Sequence, residues 1–107
     1  MSHRLKLVFF GTDKFATTVL DELLRFDLVP ALIVTTPDRP QGRKLILTPP
    51  PAKLWANKHK IPVRQPADLK NPPAEFDLRQ FELALVAAYG KILPASLLSL
   101  PKHGFLN

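Results

Sequence analysis

The chain has 107 residues, enough for one domain with a modest core, since a chain of this size buries roughly 60–70% of its unfolded surface. It has no cysteine, which excludes disulfides and thiolate chemistry and permits a reducing compartment. Fifteen basic residues against nine acidic ones leave a formal net charge of +6, a balance that suits a polyanionic partner.

No apolar run approaches the ~20 residues needed to span a membrane. The start, MSHRLKLVFF, is too short in its apolar part for a secretory signal and lacks a small-residue cleavage site. A cytoplasmic location is the plain reading. Leu5 to Phe10 is rich in strand formers and stops at Gly11, which predicts the first strand. Thr12 or Asp13 then caps a helix whose apolar face is Phe15, Ala16, Val19, Leu20, Leu23 and Leu24 at 3.6-residue spacing. Leu28 to Thr35 is the second strand, with Pro30 near its start.

Strand, helix and strand make a right-handed βαβ unit. Its Gly11-Thr12 turn therefore lies at the carboxyl end of the first strand, where open α/β sheets place ligands. The bland reading of Gly11 is a tight turn. A dinucleotide fingerprint needs three glycines and this turn has one, and no Walker A loop is present.

Nine of the twelve prolines lie between Pro37 and Pro73, which predicts loop with short elements between. Within that region PDRPQGRK is a turn-rich basic tip. From Arg39 to Lys60 there are six basic residues (Arg39, Arg43, Lys44, Lys53, Lys58, Lys60) and no acid. Arginines on such a loop can grip phosphates with paired hydrogen bonds, and the alternative is a merely solvated loop. Pro51 starts a helix over about Ala52 to His59, with Lys53, Lys58 and Lys60 outward and Leu54 and Trp55 inward. Trp55 reads as core rather than as a base-stacking platform. His59 reads as a surface residue at a helix end, and His3 and His103 have no partners at metal-ligand spacing, so no metal site is expected.

Ile61 to Arg64 is a short third strand at a sheet edge, because Pro62 cannot donate to a ladder. Residues 67–80 read as loop with one or two helical turns. Residues 81–88 form a strand buried on both faces, ended by Tyr89-Gly90. A short helix from Pro94 to Ser99 follows, and Gly104 opens a last strand, Phe105-Leu106-Asn107. The architecture expected is a doubly wound, mostly parallel, Rossmann-like α/β sheet with about five strands.

Three motifs in order, FFGT, PDRPQGRK with LTPPPAK, and AYGKILP with GFLN, resemble the N-terminal formyltransferase domain of the methionyl-tRNA formyltransferase family. The resemblance covers nearly all of residues 5–107. It implies formyl transfer from 10-formyltetrahydrofolate to the amino group of initiator methionyl-tRNA, with no metal. It implies that Asn107 is the catalytic asparagine that stabilises the developing oxyanion. It implies that Ala88, Tyr89, Gly90, Lys91, Ile92 and Leu93 line the folate pocket, and that Gly11 and Thr12 border the substrate cleft.

The family's basic loop reaches the tRNA acceptor arm, and here it carries Arg39, Arg43 and Lys44. Two departures stand out. Asp13-Lys14 replaces the family's Pro-Asp/Glu, and Leu45 replaces a frequent lysine.

On this resemblance the chain is the N-terminal portion of a truncated formyltransferase domain. The family's histidine and aspartate then lie outside the chain, which is expected to be inactive alone and to self-associate through its unfinished sheet edge. Three rivals remain. They are a sister formyltransferase acting on an amino sugar or a glycine-derived ribonucleotide, a non-catalytic RNA-binding domain, and an inert fragment.

Overall fold

A computed structural model describes residues 5–71 and 76–107. Strand β1 (Leu7–Phe10) leads into helix α1 (Lys14–Arg25) and strand β2 (Leu32–Val34). A hairpin of β3 (Arg39–Gln41) and β4 (Ile46–Thr48) follows, then α2 (Pro51–Lys58) and β5 (Val63–Arg64). A 3-10 turn (Leu78–Gln80), β6 (Leu83–Val86), α3 (Ala95–Leu98) and β7 (Phe105–Leu106) complete the chain.

The main sheet has the order β5-β2-β1-β6-β7, and every neighbouring pair in it is parallel. This is the expected Rossmann-like, doubly wound arrangement. From β1 the chain winds outward to β2 and β5 on one side, and from β6 to β7 on the other. The order reverses between β1 and β6. The whole of β1 is buried, and its side chains alternate between two cores. Val8 and Phe10 pack with Leu69, Leu78, Phe81 and Leu97 on one face. Phe9 packs with Ala16 and Leu20 of α1 and with Trp55 of α2 on the other.

Several expectations need correction. The second strand is three residues, Leu32–Val34, not Leu28 to Thr35. Phe26 and Asp27 turn the chain instead, with amides donating to Leu23 O and Leu24 O, and Asp27 takes φ 58°. Phe15 is 62% exposed rather than on the buried face. It sits in the first turn of α1, at the rim of the sheet, whereas Ala16 and Leu20 lie over the strands. Leu54 is 55% exposed. The buried stripe of α2 is Ala52, Trp55 and Ala56, and Leu54 lies one residue, about 100°, away from Trp55. Lys53 is not simply outward, because its ammonium pairs with Asp38.

Trp55 is core, as expected, and its indole N–H donates to Asp21 Oδ1 at 2.8 Å. His59, the C-cap of α2, stacks on that ring at 4.1 Å between centroids. The proline-rich stretch holds an antiparallel ladder that composition hid. Pro40 faces Leu47 there, and a two-stranded ribbon has only edge strands, where proline is tolerated. His3 lies outside the described residues.

Candidate functional site

The site is built where the strand order reverses, at the carboxyl ends of β1 and β6. The loops leaving these strands are bonded to each other. Thr12 N donates to Ala88 O at 2.9 Å, and Thr12 Oγ1 donates to Tyr89 O at 2.6 Å. Thr35 at the end of β2 is fully buried and its hydroxyl lies 3.4 Å from Thr12 Oγ1. Thr12 O in turn accepts from Ala52 N at the start of α2. One threonine therefore ties three elements together at the rim of the sheet.

Gly11 is required there by close approach. A Cβ at that position would meet Phe9 Cε1 at 2.5 Å and both Ala16 Cβ and Ala87 O at 2.7 Å. Asp13 is the N-cap of α1, with Oδ1 accepting from Phe15 N and Ala16 N. Its carboxylate thus occupies the donors of the helix start. Across the rim, Ala88 takes φ 53° and Gly90 φ 88°. A left-handed conformation costs a non-glycine residue roughly 1–2 kcal/mol, and at Ala88 the bonds from Thr12 hold it in place.

These loops and the hairpin enclose a cleft of about 590 Å³. Thr12, Ala88, Tyr89 and Gly90 form one wall. Arg39, Gln41 and Thr48 of the hairpin form the other, and Leu54 contributes an apolar edge. The exposure of Leu54 is explained by this placement.

Five residues singled out in the sequence line this cleft: Thr12 at the β1 turn, Ala88, Tyr89 and Gly90 after β6, and Arg39 on the hairpin, while Gly11 is buried behind Thr12. Tyr89 contributes backbone, because its ring is buried in the core, edge-on to Phe10 at 5.4 Å. Burial pushes its hydroxyl up to about 12, and among the described residues that hydroxyl has no hydrogen-bond partner.

The remaining residues lie elsewhere. Lys91 reaches sideways and donates to Pro66 O and Ala67 O. Ile92 is 94% exposed, and Leu93 packs against the core. Arg43 and Lys44 are exposed in the hairpin turn, outside the cleft walls. Asn107 directly follows β7. Since Leu106 pairs with Leu85, Asn107 stands at the same carboxyl edge of the sheet as the loop after β6, exposed and not part of the cleft wall.

Sequence reasoning missed two features. The hairpin carries exposed apolar residues, Leu45, Ile46 and Leu47, each more than 60% exposed, beside its basic tip. The apolar run Leu45-Ile46-Leu47 between two basic, proline-rich stretches was the available signal. It also missed the polar contacts of Asp38 with Lys53 and Gln65, which are 15 and 27 residues away and leave no local pattern. Among the described residues no group of three or more His, Cys, Asp or Glu is placed to hold a metal ion.

A family model described as formyl transferase matches residues 5–107. The chain belongs to that family. Among curated proteins, the methionyl-tRNA formyltransferase of Halalkalibacterium halodurans is 48% identical over 105 residues, 96% of this chain and 33% of the relative. Those of Geobacter sulfurreducens and Staphylococcus epidermidis are 43% and 48% identical, covering 96% and 95% of this chain and 33% of each relative. This formyl transferase chain therefore spans about a third of the length of the curated relatives it matches. No helix among its described residues is long and apolar enough to cross a membrane.

Proposed function

We propose that the chain supplies the N-terminal portion of a formyltransferase domain that moves a formyl group from 10-formyltetrahydrofolate to the amine of initiator methionyl-tRNA. The observation that carries this is identity of 43–48% to proteins named methionyl-tRNA formyltransferase over nearly the whole chain. Work in translation initiation belongs to the cytoplasm.

In this reading the amine nitrogen attacks the formyl carbon, the bond from that carbon to the folate nitrogen breaks, and the proton lost by the amine passes to the folate nitrogen. The amide of Asn107 donates to the oxygen that gains negative charge. Backbone groups of the Ala88–Leu93 segment recognise the flat pterin, and the Gly11-Thr12 turn borders the amine's side of the cleft. Arg39, Arg43 and Lys44 hold tRNA phosphates. The exposed basic tip of the hairpin, Arg43-Lys44, favours tRNA over an amino sugar or a small ribonucleotide, because a small amine needs no cations outside the cleft walls.

Amide-resolved NMR titration tests the division of labour. A folate analogue is expected to shift residues 87–93 and leave Arg43 and Lys44 unmoved, and initiator tRNA is expected to do the reverse. A folate analogue that moved only the hairpin, or tRNA that left the hairpin unmoved, would overturn the assignment.

A further inference from the structure

The hairpin has little buried surface to set its direction, since all six of its strand residues are exposed. Its root is held by polar contacts instead. Asp38 immediately precedes β3. Its carboxylate accepts from Lys53 Nζ at 3.2 Å and 3.3 Å, and from Gln65 Nε2 at 2.6 Å. Gln65 Nε2 also donates to Thr36 O at 3.1 Å. All three side chains are partly buried.

The two partners stand on parts of the fold that are themselves fixed. Lys53 is in α2, whose Ala52 amide is bonded to Thr12 O at the rim. Gln65 directly follows β5, whose Arg64 carbonyl accepts from Thr35 N at 3.0 Å. The hydrogen bond from Gln65, more than any other influence, holds the Asp38 carboxyl below the usual carboxylate range, with the nearby Lys53 ammonium adding to it.

We propose that Asp38, Lys53 and Gln65 form a latch that fixes the hairpin at its root, with Asp38 as the positioning residue. The latch sets both the cleft wall made by Arg39, Gln41 and Thr48 and the direction in which Arg43 and Lys44 point. What it does for binding rests on the tRNA reading above. The latch itself does not.

The test uses Gln65→Met, which removes two hydrogen bonds without changing charge or much changing shape, beside Asp38→Ala and the conservative Lys53→Arg. Native-state trypsin cleavage after Arg43 and Lys44 reads hairpin release, and hydrogen exchange in β1 and β6 reads the core. Gln65→Met is expected to speed hairpin cleavage by about three- to tenfold with core exchange unchanged, in line with the usual worth of one or two hydrogen bonds. Lys53→Arg, which keeps the ion pair, is expected to cleave like the parent.

Initiator tRNA binding should weaken about threefold in Gln65→Met while its salt slope stays the same, because every phosphate-binding side chain is still present. Parental cleavage rates in both Gln65→Met and Asp38→Ala would overturn the latch. Should Asp38→Ala lose core protection, Gln65→Met alone decides. If Arg43→Ala binds tRNA like the parent while Gln65→Met still speeds cleavage, the tRNA reading fails and the latch stands. If Arg43→Ala weakens binding and neither latch variant changes cleavage, the reverse holds.

Discussion

A methyl group at Gly11 would overlap Phe9, Ala16 and the Ala87 carbonyl at once. Gly11→Ala is therefore expected to lose about 1–3 kcal/mol by overpacking, read by urea denaturation. Tyr89 makes a different prediction. Its folded pKa is raised from 10.0 to about 12 by burial. Below pH 10 the hydroxyl is protonated in both states and stability does not depend on it. As pH rises from 10 to 12 the unfolded chain releases this proton first, so the folded state loses on the order of 2 kcal/mol.

Tyr89 is the chain's only tyrosine, so tyrosinate absorbance reports it alone, and the midpoint should lie near 12 rather than 10. Tyr89→Phe should keep its stability at neutral pH, because it removes a hydroxyl with no partner among the described residues, and should lose less than the parent in the alkaline range. A Tyr89→Phe variant with the same alkaline loss as the parent would contradict the burial argument.

Among the elements, those with strong local signals were legible in the sequence. β1 and β6 are short apolar runs followed by Gly11 and Tyr89-Gly90, and they pair at the middle of the sheet, although β6 spans Leu83–Val86 rather than residues 81–88 and only Ala84 of its four residues is buried rather than the whole strand. Asp13 was one of two cap candidates, and its side chain makes the capping bonds. Asp13→Ala should cost about 1 kcal/mol of stability in the same denaturation assay.

What stayed hidden depends on partners distant in sequence. The hairpin ladder pairs Arg39 with Thr48 across a turn in which Leu45 takes φ 52°, a conformation that no leucine advertises. The burial of helix faces was legible to one residue's precision at best, since Phe15 and Leu54 turn to the rim and the cleft where the apolar period alone puts them inside. Lys91 looked like a cleft residue by its motif, but its long side chain finds two carbonyls in the segment after β5.

At the scale of the whole molecule, the parallel order β5-β2-β1-β6-β7 brings the turn after β1 and the segment after β6 to one rim, and the hairpin faces that rim across the cleft with Arg43 and Lys44 of its tip outside the cleft walls. Among the described residues β7 is the outermost strand on the β6 side of that sheet, with Leu106 58% exposed.

The proposed division into a folate-facing rim and a tRNA-facing hairpin tip can be tested by one comparison. Initiator tRNA binding is measured across a salt series for the parent and for Arg43→Ala/Lys44→Ala, with folate-analogue affinity measured beside it. The double variant is expected to bind tRNA more weakly, with a log–log salt slope shallower by about 0.9 for each phosphate it no longer neutralises, and to keep its folate affinity. Parental tRNA affinity at every salt concentration would contradict it, and would leave the hairpin a solvated loop.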